Sequence, residues 1–245
     1  MISGTIHKTK LNGDLIIVEY QNSVSVKVRF ISTGYETTTR SVHIRTGTVK
    51  DTLYASVFVI GFLGVGEYSV IIKGKKCPAY VAWKHILERC YSERELLRRP
   101  TYRGCSVAKE WHNFQNFAKW YEENHPNDGN RYDIDKDLLE FKNKVYSPST
   151  CCFVQVWLNT LTLDCGSSRG EYPIGASFRN THGDFLSQCS VSGKRKHLGY
   201  FLTALEAHSA WLSCKLGHAL ALKPRMDLID LRIYPNVIQI IREAK

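Results

Sequence analysis

The chain has 245 residues and a formal net charge of +10 at pH 7, from 33 Lys and Arg against 23 Asp and Glu. Its 43% hydrophobic content, with five Trp, thirteen Tyr and ten Phe, supplies packed cores and excludes wholesale disorder. The length suits two or three small domains, and the charge points to a polyanionic partner, nucleic acid first, although an anionic membrane surface or protein fits the charge equally.

Residues 1 to about 75 read as strands. Leu15–Val18 is an apolar run and Val24–Phe30 alternates apolar with polar residues. Thr37–Thr39 and Ser41–Ile44 continue with strand-favouring residues, and Asn12-Gly13, Ser32-Thr33-Gly34 and Thr46-Gly47 punctuate them as turns. This pattern predicts a small curled antiparallel sheet, with an SH3-type barrel as the closed form. A loop-rich, basic exit follows through Gly61, Gly64, Gly66, Lys73, Gly74, Lys75 and Lys76.

The middle opens with a helix over Tyr80–Tyr91 that places Trp83, Ile86, Leu87 and Cys90 on one stripe. A second helix is predicted over Ala108–Glu123, and Asn124–Asn130 is a turn. Tyr132–Asp137 reads as a loop or sharp hairpin, and a third helix is predicted near Val154–Leu163. Asp164–Gly170 reads as a linker. Three short strands follow, Ile174–Arg179, Asp184–Ser190 and Arg195–Tyr200, separated by turns at His182-Gly183 and Ser192-Gly193. Thr203 and Glu206 have the spacing of a capping box at the start of another helix. The tail beyond it is apolar enough to pack but too short to assign.

No apolar run approaches the roughly 20 residues that span a bilayer, and the first eight residues lack the apolar segment of a signal peptide. The eight cysteines are too dilute for a disulfide scaffold, so buried, reduced thiols in an intracellular setting are expected. None forms a Cys-x2-Cys pair. Cys90, Cys105 and Cys151 with a histidine are the one grouping that suggests zinc.

Tyr172 to Arg179, Gly183-Asp184-Phe185 and Gly193 to Phe201, followed by Thr203 and Glu206-Ala207, together resemble an AP2-type DNA-binding domain. The resemblance covers about one fifth of the chain and implies a three-stranded sheet laid in the major groove of double-stranded DNA, with a helix behind it. Strand alternation supports that use independently. If Phe178 packs inward, Ser177 and Arg179 point outward together; Arg195 and His197 share one face of the third strand, and Leu198 and Tyr200 the other. Gln188 and Ser190 are their neighbours in the middle strand, while Lys194 and Lys196 read as phosphate contacts. A solvated basic strand edge is the competing reading for Arg179 and Arg195, and a turn contact is the competing one for His197.

Trp83-x2-Ile86-Leu87-x-Arg89-Cys90-Tyr91, Val107-x3-Trp111-x2-Phe114-x2-Phe117, Ile134-Asp135-Lys136-Asp137 and Tyr146-Ser147-Pro148-x2-Cys151, then Val154 and Asn159, resemble phage and mobile-element HNH (His-Me finger) homing endonucleases in order. That resemblance spans about residues 80–163. It implies a ββα core, a location in the cytoplasm of a bacterial or phage-infected cell, and Mg²⁺ or Mn²⁺ held between Asp135 and Asn159. It also implies an orienting role for Asn143. Lys136 stands where the family's general-base histidine belongs. An ordinary lysine, with a pKa of about 10.4, is protonated near neutrality and a poor proton acceptor, though it can bind phosphate. His125 or His112 are the candidates to replace the base, with His85 further behind. Asp133, Asp135 and Asp137 alternate and would share a face in an extended segment, so Asp137 is a further metal candidate; the bland alternative is an acidic turn capping a helix from Leu138.

The expected architecture is therefore multidomain α+β. A small all-β domain occupies residues 1–76, an HNH-like nuclease core 77–165, an AP2-like domain 166–220 and a tail 221–245. The expected activity is metal-dependent DNA cleavage at a site chosen by the AP2-like domain. The alternative is a non-catalytic, sequence-specific DNA-binding protein with a degenerate nuclease core. No membrane partner is expected, and RNA or protein binding by the N-terminal sheet is a third possibility.

Overall fold

The computed structural model describes residues 1–163 and 170–244 and has a mixed α+β fold of several small sheets and helices. The segment read as a linker lies outside the described residues except for Gly170. Among the described residues no helix is long and apolar enough to cross a membrane. The chain divides into two compact units, residues 1–125 with 145–147, and residues 126–144 with 148–245. This division is coarser than the four segments read from sequence, and the nuclease-like stretch contributes to both units.

In the first unit, β1 (Ile6–Lys8), β2 (Asp14–Asn22), β3 (Ser25–Phe30) and β4 (Glu36–Thr39) form an antiparallel sheet in sequential order. Alternation puts Leu15, Ile17, Val26, Val28 and Phe30 into one apolar cluster, which Ile44 and Val49 complete. The sheet does not close into the barrel that was expected, because β1 and β4 remain separate edges. Ser41–Ile44 is also not a strand. It lies in the single-turn helix α1 (Ser41–Arg45), which buries Ser41 and Ile44 one turn apart, so tertiary burial overrides β propensity.

A two-residue hairpin, β5 (Ile71–Ile72) and β6 (Lys75–Lys76), precedes α2 (Pro78–Tyr91) and α3 (Glu93–Arg98). Helix α2 buries the predicted stripe, and the Trp83 indole N–H donates to the Trp111 carbonyl at 2.6 Å. After β7 (Ser106–Val107), residues Lys109–His112 form a 3₁₀ turn. The second predicted helix starts only at α4 (Phe114–Asn124), because the Asn113 side chain caps it by accepting from the Gln115 N–H.

The second unit contains β8 (Tyr132–Asp135), and the first contains β9 (Val145–Tyr146), which pairs in parallel with β7. Strand β10 (Cys152–Gln155) pairs antiparallel with β8 and runs directly into α5 (Val156–Leu161), a ββα segment. The third predicted helix is thus shorter, its first residues belonging to β10. No helix begins at Leu138. Then come β11 (Ala176–Arg179), β12 (Asp184–Val191) and β13 (Lys194–Phe201), an antiparallel meander, followed by α6 (Ala204–Asp227) and α7 (Ile233–Glu243). The capping box forms as read: the Thr203 hydroxyl accepts from the Glu206 N–H, and the Glu206 carboxylate accepts from the Thr203 N–H. The unassigned tail is α7, whose buried Ile233, Val237 and Ile241 recur at helical spacing. Leu138, Val154 and Leu158 share one apolar cluster with Trp211, Ala219, Met226 and Val237, so the ββα segment and the C-terminal helices are built on a common core.

Gly175 adopts φ +87° where the chain passes under the Trp211 side chain, and a Cβ there would overlap the start of that ring. Gly175→Ala is expected to destabilise the protein by about 2 kcal/mol or more, through overpacking added to backbone strain. Gly183→Ala, with φ +68° but open space around it, should cost only about 1 kcal/mol. Urea unfolding of both variants measures the difference; equal losses would contradict the importance of the ring contact.

Candidate nucleic-acid interface and nuclease-like core

The faces of the three-stranded sheet follow from its register. Ala176 pairs with Ser187 and Phe178 with Phe185, and the buried Ser187 hydroxyl donates to the Ala207 carbonyl of α6 at 2.6 Å. Those residues define the helix-facing side. Ser177, Arg179, Asp184 and Leu186 therefore lie on the outer face, as alternation predicts from an inward Phe178.

Strand β13 departs from simple alternation. Ser187 pairs with Gly199 but Gln188 pairs with His197, leaving Leu198 as an extra, bulged residue. The bulge moves Tyr200 onto the same side as His197 and Arg195. Sequence alternation had put Tyr200 with Leu198 on the opposite side. The rings of His197 and Tyr200 meet edge-on with centroids 4.8 Å apart. Gly199, at φ +132° inside a strand, is the sequence signal for this irregularity.

Two kinds of basic residue result. Arg195 and His197 pair with Ser190 and Gln188 and are exposed on the outer face. Lys194 and Lys196 pair with Val191 and the buried Cys189, so their positions belong to the helix-facing side at the sheet rim. Lys196 lines a groove there with Leu198, Cys214 and His218. The two lysines therefore stand on the side opposite Arg195 and His197.

Arg179 is held internally. Its Nε and Nη2 donate to the two Asp184 carboxylate oxygens at 2.7 and 2.5 Å, and its guanidinium lies 3.7 Å over the Tyr200 ring. The hydrogen bond from Arg179 holds the Asp184 carboxyl below the ordinary carboxylate range and raises the arginine in turn. This clamp fixes the plane of the guanidinium through Nε and Nη2. Asp184 and Tyr200 were both missed as site residues from sequence, because neither role is visible until the strands are paired.

The ββα segment departs from the expected catalytic set. Asp135 is half-buried, and its Oδ1 accepts the backbone N–H groups of Asp137 and Leu138 at 2.8 and 2.9 Å. Burial pushes its carboxyl up, against the lowering effect of those two bonds. Opposite it in the ladder, burial pushes the Cys152 thiol up to about 12, with the Asp135 charge adding to the shift. Lys136 is buried, and its Nζ donates to Asp137 Oδ1 at 2.6 Å and to the Asn143 carbonyl at 2.8 Å. Asn143 Nδ2 returns a bond to the Lys136 carbonyl at 2.9 Å. These reciprocal bonds staple the loop from 136 to 143.

The three aspartates do not share a face, because the extended segment ends at Asp135 and Asp137 turns to pair with Lys136. Asn159 on α5 donates to Asp133 Oδ2 at 3.3 Å, in place of the expected Asp135–Asn159 pair. Which aspartate meets Asn159 depends on the register of β8 against β10. His125 closes α4 and stacks on Tyr121 in the first unit, whereas Asp133, Asp135 and Asn159 belong to the second. His112 Nε2 lies 3.0 Å from the Val107 carbonyl. Cys90, Cys105 and Cys151 are buried, and among the described residues no group of three or more His, Cys, Asp or Glu is gathered to hold a metal.

Compared with protein-family models, curated proteins and solved structures, the chain matches none.

Folding raises the Asp135 carboxyl, so its neutral form favours the folded state. That contribution is fully present below the unfolded value of about 3.9 and is lost as pH rises through the folded value. Asp135→Asn keeps an oxygen for the two amides without a charge to bury. It is expected to raise the urea midpoint at neutral pH and to leave it nearly unchanged in acid. A lowered midpoint at neutral pH would mean that the charge itself is required.

Proposed function

We propose that this chain binds double-stranded DNA through the outer face of β11, β12 and β13, with the ββα segment as its support. The observation that carries this reading is the single surface formed by Ser177, Arg179, Gln188, Arg195, His197 and Tyr200, on the side of the sheet away from Trp211. Three strands about 4.8 Å apart make a ribbon roughly 10 Å across, which suits a major groove about 12 Å wide. Arginine forks, an amide and an imidazole match the donors and acceptors displayed there. The AP2-type resemblance and the net charge of +10 support the same partner.

Binding is favoured over cutting because Lys136 and Asp135 are engaged in holding their own loop. Cleavage remains the second reading, supported by one observation: Asp133 and Asn159 bring a carboxylate and an amide together from strand and helix, the donor types that would hold Mg²⁺ or Mn²⁺. The Asn159 amide would have to present its oxygen in place of the nitrogen it now directs at Asp133. A metal bound there would offset charge on the scissile phosphate.

Duplex selected from a random library should bind wild type without added metal, and Arg195→Ala should weaken it by about 1–3 kcal/mol. Lys194→Ala and Lys196→Ala should have smaller effects. Equal affinity of wild type and Arg195→Ala for selected and random duplexes would overturn the proposal. Adding Mg²⁺ or Mn²⁺ to the bound duplex should leave it intact; cuts that disappear in Asp133→Ala would establish the second reading instead.

A further inference from the structure

A cleft of about 470 Å³ lies within the second unit, between α5, α6, the end of β12 and the turn joining β12 to β13. Its volume falls in the range of small-molecule sites. Helix α6 lines it with Lys215, His218, Leu222 and Arg225, whose spacing of three, four and three residues puts them on one stripe. Trp157 of α5 forms the facing wall, and its orientation is fixed by a hydrogen bond from its indole N–H to Gln155 Oε1 at 2.9 Å. Lys215 and Arg225 are the charged side chains of its lining, and no acidic side chain lines it.

The two ends differ in chemistry. At one end, His218 Nε2 is 3.4 Å from the Ser192 hydroxyl, and its Nδ1 is buried with no hydrogen-bond partner among the described residues. Burial, reinforced by the Lys215 charge, lowers the pKa of this imidazole, so the ring is neutral and keeps one nitrogen with a bonding position to fill. At the other end, the Arg225 guanidinium lies 4.3 Å over the Trp157 ring and has no ion pair among the described residues. A cation stacked on an indole is a flat platform of the kind that receives nucleobases. From His218 to Arg225 the helix rises about 10 Å, a span suited to a ligand with an anionic end and an aromatic end.

We infer that this cleft binds a nucleotide, its base against Trp157, Leu222 and Arg225 and its phosphate toward Lys215, His218 and Ser192. The inference does not rest on the DNA binding proposed for the outer face of the sheet. The nucleotide is either a free monophosphate or one unit of a single strand.

Titration calorimetry of the full chain with deoxynucleoside 5′-monophosphates, the matching deoxynucleosides, inorganic phosphate and a short single-stranded oligonucleotide tests the inference. The monophosphates should bind, and the deoxynucleosides and phosphate should bind at least about tenfold more weakly. Arg225→Gln and His218→Asn should each weaken monophosphate binding about tenfold with the urea midpoint unchanged, and Arg195→Ala should leave it unchanged. Arg225 is exposed, so its replacement leaves the core intact. An oligonucleotide about tenfold tighter than the monophosphates assigns the site to a strand, and equal or weaker binding assigns it to free nucleotide. Absence of binding by monophosphate and oligonucleotide alike, or binding indifferent to both Arg225→Gln and His218→Asn, would overturn it.

Discussion

Trp211 must be buried, and the surface presented by β11, β12 and β13 depends on how that is done. The ring packs where Gly175 leaves room for it, and Ala207, one turn earlier on α6, offers its carbonyl to the buried Ser187 hydroxyl. These contacts fix which side of the sheet faces the helix. Strand parity then assigns the opposite side, and one extra residue, Leu198, corrects the parity of β13 so that Tyr200 joins Arg195 and His197. On that face Arg179 is held in plane by Asp184 and Tyr200. Such preorganisation would lower the ordering cost of the binding proposed for this face.

The stretch resembling a nuclease core has a different economy. Its polar residues close a loop: Lys136 and Asn143 exchange bonds, Asp137 pairs with Lys136, and Asp135 caps the turn. Buried polar groups require such partners, and here the partners come from within the loop. The same segment supplies Leu138, Val154 and Leu158 to the core that also holds α6 and α7. Stability alone therefore accounts for keeping these residues, with or without a reaction. Asp133 and Asn159 are the exception, facing each other from the strand and the helix that follows its partner strand.

Much of the local structure was legible in the sequence because its causes are local. Thr203 and Glu206 specify their capping box through a three-residue spacing, and the turns at His182-Gly183 and Ser192-Gly193 bound strands whose limits fall within a few residues of those read. The stripe of Trp83, Ile86, Leu87 and Cys90 buried as its periodicity required. What was not legible depends on pairing or on distant packing. The side of Tyr200 depends on a bulge, and the partner of Asn159 on which aspartate of β8 lies within its reach. Ser41–Ile44 became helical because the N-terminal sheet needed a cover, and the role of Lys136 rested on a carbonyl seven residues away. The site was thus legible as a set of residue types in order, and its geometry only once the strands were paired.

The most direct test is to follow the backbone amide resonances of the full chain as a selected duplex is added. The account predicts shifts concentrated at Ser177, Arg179, Gln188, Arg195, His197 and Tyr200, with little change at Ala207, Trp211 and the helix-facing residues behind them. Shifts centred elsewhere, with this face unperturbed at saturation, would contradict it.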